Sequence, residues 1–440
     1  MKKLFISGLI LFLAFGGSKS VSAQEVLISQ SNTSGIYQSG DSIKISVSLR
    51  EINADSLQVS INKNFGEEVT EYAIEYAGEN TLVFTKTFDG AASIICGVKV
   101  AELSASIGLV VEPEMFTPGS TYPDDLDGFW ATQKKQLRAL EMNIKEKLLD
   151  DTEDGFYCAD IEINCTGPAP ARGYFAKPAE AGEKSLPIVL LVHAAGVKGS
   201  WCQSRPEEAL NYAKKGALCF DLNAHGMLNG QPQAYYDALE AGELKNYAYQ
   251  GMENRDQYYF LGMYLRLMRT IDFLTSQPEW DGKRLLVIGE SQGGGQALAA
   301  AGLDDRVSAA VAIVPAMCDF GGPLKARKGG WPNPIGYHLG NENITEAVPY
   351  FDAAFLLKDS RATLFVEIGY IDITCPSSSI YAAINQSEGK KIIKGVPYRG
   401  HHLNQKQYQK VWEEEVYKPR MEFIERYVES KGPIAHCPLL

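Results

Sequence analysis

The stretch that most restricts the fold of this chain is Gly289-Glu290-Ser291-Gln292-Gly293-Gly294-Gly295. Before it, Arg284-Leu-Leu-Val-Ile288 is a short apolar run rich in branched residues. After it, Gln296-Ala-Leu-Ala-Ala-Ala301 is built from strong helix formers. An apolar strand, G-x-S-x-G and a helix together make the sequence pattern of a nucleophile elbow. The glycines have a steric reason, because side chains two residues either side of the serine would collide in so sharp a turn. The serine hydroxyl is then lifted above the sheet edge. The first N–H groups of the helix point towards any oxyanion that forms there. Glycine and serine are common in turns, so G-x-S-x-G alone would also fit an idle serine. The flanking strand, the flanking helix and the additional glycines favour the elbow.

Around this turn lie near-continuous apolar runs at 187–193, 217–221, 285–288, 307–314 and 364–368. Runs of that kind predict strands covered on both faces. Segments of helical period separate them. One covers 258–274, with Tyr264, Leu267, Met268, Ile271 and Leu274 on one stripe. Alternating strands and helices predict a doubly wound, mostly parallel α/β sheet. No internal repeat or low-complexity tract interrupts it.

The N-terminal part is different. Met1-Lys2-Lys3, the apolar stretch 4–15 and Val21-Ser22-Ala23 read as a signal peptide (residues 1–23) with a mature start at Gln24. The apolar stretch is too short for a confident membrane span. The reading is therefore an exported protein, periplasmic or secreted. Residues 24–114 alternate polar and apolar at 42–49 and 57–61, with further strand patterns at 82–84, 94–98 and 107–111. Turn residues at regular spacing predict a small all-β sandwich of immunoglobulin type. This segment contains no histidine and reads as a spacer or interface cover. Pro113, Pro118 and Pro123 mark a linker to the unit 115–440. A helix is then expected over 124–149, with Phe129, Trp130, Leu137 and Leu140 buried. Paired strands are expected at 156–164 and 172–176.

Formal net charge is −12, from 42 basic and 54 acidic residues. The first 23 residues hold three lysines and no acids, so cleavage would take the charge to about −15. That balance argues against nucleic acid or anionic membrane as partner and leaves a neutral sugar polymer open. Eight cysteines remain: Cys96, Cys158, Cys165, Cys202, Cys219, Cys318, Cys375 and Cys437. Their connectivity is not readable. Cys158 and Cys165 can be rejected as a pair, because seven residues of one extended strand separate them by about 23 Å. No Cys/His spacing suggests a metal site, and no cofactor is implied.

A serine nucleophile needs a base, and the base an orienting acid. In a sheet of this kind both follow on loops at the carboxyl edge of later strands. Asp372 lies just beyond the 364–368 strand, and His401 and His402 follow an expected strand at 392–396. The chain order Ser, Asp, His is that of the α/β-hydrolases. Asp319 competes for the acid role from the end of the preceding strand and ranks second. Of the adjacent histidines, His401 follows Gly400 and is the better base. His193 and His225 read as residues shaping loops near the pocket. The oxyanion hole should use the backbone N–H of Gln292 and one from the loop His193-Ala194-Ala195-Gly196.

From about residue 118 to 428 the chain resembles the acetyl xylan esterase/cephalosporin-C deacetylase family of the α/β-hydrolase superfamily. The resemblance is carried by Asp127-Gly-Phe-Trp130, Tyr258-Tyr259, Ser291-Gln-Gly-Gly-Gly295, Ala309-Ala-Val-Ala312, Asp372 with Pro376-Ser377, Ala382-Ala383-Ile384-Asn385 and Gly400-His401. It implies Ser291 as nucleophile, Asp372 as acid and His401 as base, with backbone N–H groups of Gln292 and Ala195 forming the hole. It also implies an acetylated carbohydrate as substrate partner, and members are often homo-oligomers. Three positions depart from the family pattern. His-Gly-Tyr is replaced by His193-Ala194-Ala195, Arg-Gly-Gln-Gly by Asn223-Ala224-His225-Gly226, and the glycine before the serine by Glu290. The expected protein is an exported serine esterase that removes acetyl groups from sugar esters such as acetylated xylan or xylo-oligosaccharides. Rival readings are a serine peptidase or broader carboxylesterase of the superfamily, or a non-catalytic carbohydrate-binding scaffold. Because the whole triad lies beyond residue 290, a chain starting near Phe116 is expected to fold and keep its turnover on a small ester.

Overall fold

The computed structural model describes residues 24–52, 56–66, 69–75, 81–150 and 152–429. The signal-peptide reading, His436 and Cys437 fall outside these residues. The first eight strands are β1 (Glu25–Gln30), β2 (Ile36–Tyr37), β3 (Ile43–Arg50), β4 (Ser56–Lys63), β5 (Val69–Glu75), β6 (Thr81–Lys86), β7 (Ala92–Val100) and β8 (Leu103–Val111). They make a three-stranded sheet, β1-β3-β6, and a five-stranded sheet, β2-β8-β7-β4-β5. The inward residues of both sheets, among them Ile45, Val47, Leu57, Val59, Ile94 and Leu109, form one apolar cluster. Period-two alternation thus produces a sandwich, as the sequence predicts. Strands β1, β2 and β5 carried too weak a pattern to be anticipated: β2 has two residues, and β5 has no buried position.

A nine-stranded sheet follows. Its strands are β9 (Lys145–Leu148), β10 (Phe156–Ile163), β11 (Ala171–Pro178), β12 (Leu186–Val192), β13 (Leu218–Asn223), β14 (Trp280–Glu290), β15 (Ala309–Ile313), β16 (Thr363–Gly369) and β17 (Lys391–Val396). The spatial order is β17-β16-β15-β14-β12-β13-β11-β10-β9. Strands β12 to β17 run parallel, and β9 to β11 join antiparallel at one edge. Alternate strand residues bury into two layers. Helices α1 (Leu126–Ala139), α2 (Pro206–Ala213) and α3 (Gln233–Ala241) precede α4 (Tyr259–Thr275) and α5 (Gln292–Leu303). Under α4 and α5 pack Leu190, Val287, Ala310 and Leu364. Val189, Leu286, Val311 and Phe365 pack under the helices Pro206–Ala213 and Lys418–Glu429. This is the doubly wound, mostly parallel α/β sheet that the sequence predicts.

Two expectations are corrected. The helix expected over 124–149 stops at Ala139. Asn143 takes a positive φ of 38°, and Lys145–Leu148 pairs with β10 as an edge strand whose residues are all exposed. Pairing to an available sheet edge overrides the helix propensity of this Lys/Glu-rich segment, and its charges guard that edge. Helix α4 is buried nearly all round, not on one stripe. Even Arg266 and Arg269 lie inside, where Arg266 Nε donates to the Ala224 carbonyl (2.9 Å) and Arg269 to Leu140 (3.0 Å).

Candidate active site

Register gathers the candidate residues. Across the sheet, Glu290 pairs with Ile313, Ile313 with Glu367, and Glu367 with Lys394. The chain therefore leaves β14, β16 and β17 at the same carboxyl edge, and Ser291, Asp372 and His401 follow in the three exits. Ser291 has φ 55° and ψ −118°, a conformation few L-residues adopt. It is held there by backbone bonds from its N–H to Ile313 and from Ala316 N–H to its carbonyl, each 2.9 Å. A Cβ at Gly289 would overlap Gly293, and one at Gly293 would overlap the Val192 carbonyl. The two motif glycines thus let the elbow close on itself and on β12.

His401 Nε2 lies 3.0 Å from Ser291 Oγ, and His401 Nδ1 lies 2.8 Å from Asp372 Oδ2. Asp372 is fully buried, and its other oxygen accepts the N–H groups of Thr374 (2.8 Å) and Cys375 (2.9 Å). With the carboxylate so fixed, Nδ1 carries the proton and Nε2 is free to accept from the serine hydroxyl. Asp372, Cys375 and His401 also offer a cluster of potential metal-ligand atoms. Burial pushes the Cys375 thiol well above its ordinary range, so it is a poor thiolate donor.

The competitors go elsewhere. The Asp319 carboxylate accepts from Gly119 N–H (2.6 Å) and pairs with Arg327 (2.7 Å), which ties the linker to the loop after β15. His402 is exposed. His193 bonds to the buried Asp221. Burial alone would lower its pKa, but the Asp221 carboxylate outweighs that and holds it above the ordinary value. His225 is buried and its pKa is pushed down to about 3, by burial first and then by Arg266. Its Nε2 donates to the Gly196 carbonyl (2.8 Å) and its Nδ1 accepts from Tyr259 (2.7 Å). Both histidines hold loops beside the elbow, as the sequence suggests.

Some neighbours gave no sequence signal. The Tyr247 hydroxyl accepts from Gly196 N–H (3.3 Å) and donates to Gln292 Oε1 (2.6 Å), so one phenol joins the loop after β12 to the elbow. Glu290 reaches Arg399 (3.2 Å), which also pairs with the fully buried Glu367. The Glu290–Arg399 pair links the elbow to the loop after β17, two residues before His401. The seven described cysteines are free thiols. No helix among the described residues is long and apolar enough to cross a membrane.

The acetyl xylan esterase (AXE1) family profile matches residues 110–418. The chain belongs to the acetyl xylan esterase family. It is 33% identical over 279 residues to the acetyl esterase Axe7A of Xylanibacter ruminicola, a match covering 62% of each chain. The match thus spans less than two thirds of that relative. An acetyl xylan esterase from Paenibacillus sp. R4 superposes with a TM-score of 0.59 at 26% identity, over 72% of this chain and 98% of the other. Acetyl xylan esterase 1 from Thermoanaerobacterium sp. JW/SL YS485 shares the fold at 22% identity and TM-score 0.58, with the same coverage of both chains. The family match leaves the β1–β8 sandwich almost wholly outside it.

Proposed function

We propose that this acetyl xylan esterase family member is an exported serine carboxylic-ester hydrolase that releases acetate from acetylated sugars, such as acetylated xylan or xylo-oligosaccharides. The observation that carries the proposal is the hydrogen-bonded chain Ser291–His401–Asp372 at the carboxyl edge of the sheet. In this reading His401 Nε2 takes the Ser291 proton as Oγ attacks the acetyl carbonyl. Asp372 stabilises the imidazolium through Nδ1–H. The tetrahedral oxyanion is met by the backbone N–H groups of Gln292 and Ala195. Gly196 N–H is already given to Tyr247, which favours Ala195 as the donor from that loop. His401 then gives that proton to the departing sugar oxygen, which leaves as a hydroxyl, and an acetyl-enzyme remains. The same imidazole activates water to release acetate.

The two-unit organisation, a sandwich over 24–114 and the hydrolase from 115, belongs to the same proposal. So does export, which rests on residues 1–23. The test is acetate release from acetylated xylan, acetylated xylo-oligosaccharides and cephalosporin-type esters, with Ser291→Ala beside the wild type. The variant should lose on the order of 10⁴ to 10⁶ in turnover and almost no stability. Turnover at the wild-type rate in Ser291→Ala would end this reading.

A further inference from the structure

We propose that the N-terminal sandwich is a positioning element of the active site, holding the acid loop and the base loop in register while leaving the nucleophile elbow alone. The proposal rests on the triad reading above and adds a role for a unit that the sequence presents as a spacer.

The contacts converge on two loops. Gly108, in β8, donates its N–H to the Pro397 carbonyl (2.7 Å), immediately before the loop that carries His401. On its other side Gly108 lies against the backbone of Tyr370, two residues before Asp372, so closely that any Cβ would overlap the Tyr370 carbonyl. One glycine thus touches the stems of both loops. Ser106, two residues earlier, accepts from Gln405 Nε2 (3.3 Å), and the same amide donates to the Tyr398 carbonyl (3.0 Å). From β1, the Ile28 carbonyl accepts the Tyr408 hydroxyl (3.1 Å), and the Tyr408 ring stacks on Tyr398 at 4.3 Å. The base loop is therefore gripped on both flanks of His401.

The acid loop is gripped likewise. Ser93 of β7 shares a hydrogen bond with Ser377, which opens the helix after Asp372. The Asn64 carbonyl accepts from Lys328 N–H (3.1 Å), and Lys328 Nζ donates to the carbonyl of Ile373, next to Asp372 (2.6 Å). The two loops also bond each other, through Tyr370 N–H to Val396 (3.0 Å) and Ile371 N–H to Arg399 (3.1 Å). Elbow residue Ser291 instead takes its backbone bonds from β15, from Ala316 just after it and from Gly295 of its own helix. The elbow's side-chain link to the base loop is the Glu290–Arg399 pair (3.2 Å), whose carboxylate is half exposed. The consequence is selective. A displaced sandwich should misalign the Asp372–His401 pair and leave the elbow unmoved.

Full-length variants test this. Gly108→Val drives a side chain into the Tyr370 carbonyl. Gln405→Leu removes the tie between Ser106 and Tyr398 at a half-buried site. Val59→Ala loosens the sandwich core, where Val59 touches neither loop, and serves as the stability control. Gly108→Val should lower kcat by about ten- to a hundredfold, since misplacement of about 1 Å costs that much, with KM nearly unchanged. Gln405→Leu should lower kcat several-fold. In both, the acid limb of the kcat/KM profile should move to lower pH, because a misaligned Asp372 stabilises the imidazolium less. Val59→Ala should lower the melting temperature and leave kcat and the pH profile alone. If Gly108→Val and Gln405→Leu keep the wild-type kcat and profile, or if Val59→Ala loses kcat as they do, the sandwich does not position the triad. Ser291→Ala, assayed in parallel, separates the failures. Activity surviving there overturns the triad and the positioning role together, whereas its loss beside fully active Gly108→Val and Gln405→Leu overturns the positioning role alone.

Discussion

At the scale of single residues, the acid assignment gives the sharpest contrast. Asp372→Asn keeps the shape but offers His401 the wrong hydrogen-bond partner, so kcat should fall on the order of 10⁴. Asp319→Asn should leave the kcat of the folded enzyme nearly unchanged and lower the unfolding midpoint, because Arg327 loses its buried anion. His401→Ala should be as inactive as Ser291→Ala, while the exposed His402 should tolerate alanine. Steady-state kinetics on one soluble acetate ester, with a melting curve for each variant, decides all four. His225 makes a pH prediction. Its folded pKa of about 3 lies below the ordinary 6.5, so between those values the unfolded chain holds a proton that the folded chain lacks. Stability should therefore be whole above about pH 6.5 and be lost as pH falls towards 3, at no more than about 1.4 kcal/mol per pH unit. His225→Gln, which can keep both hydrogen bonds, should flatten that part of a denaturation-midpoint profile; an unchanged slope would assign it to other groups. Ala195 concerns specificity. Its carbonyl accepts from Trp201 Nε1 (3.0 Å), and that indole is 63% exposed. Ala195→Tyr should raise KM for large sugar esters more than for a small acetate ester, and equal effects on both would show that residue 195 does not line the pocket.

At the scale of elements, the elbow was the most legible part of the sequence, because its requirements are local and steric. Gly293 sits where the first turn of α5 meets the end of β12. Gly293→Val should therefore abolish activity and cost several kcal/mol of stability, measurable by denaturant unfolding, as overpacking against rigid backbone has no rotamer escape. A soluble, fully active Gly293→Val would refute the close approach. The apolar core strands were legible for a similar reason: burial on both faces demands uninterrupted hydrophobic runs. The segment 140–149 was not. Its Lys/Glu alternation suits an exposed helix as well as an edge strand, and only the free edge of β10 decides between them. The buried arginines of α4 were equally hidden, since nothing local announces that the carbonyls of Ala224 and Leu140 will be there to receive them.

At the scale of the whole molecule, the sandwich changes what a truncation should do. A chain beginning near Phe116 contains every candidate catalytic residue, yet it would lose the β7 and β8 contacts to Tyr370, Ser377 and Pro397. Such a chain, if it folds, should show low kcat with near-normal KM, contrary to the undiminished turnover that the sequence alone suggests. Full turnover in a folded truncation would restore the spacer reading. The sequence by itself pointed to the doubly wound sheet, the sandwich ahead of it, the turn at Ser291 and the chain order of the candidate serine, acid and base. Each of these is set by short-range pattern: hydrophobic period, glycine sterics and position after a strand. Only the tertiary structure decided that Asp372 and not Asp319 reaches the imidazole, that Glu290 is matched by Arg399, and that residues near 108 meet the loops of 372 and 401. Those pairings join groups tens to hundreds of residues apart, and they depend on which strand edges lie side by side, a choice made by the packing of the whole core.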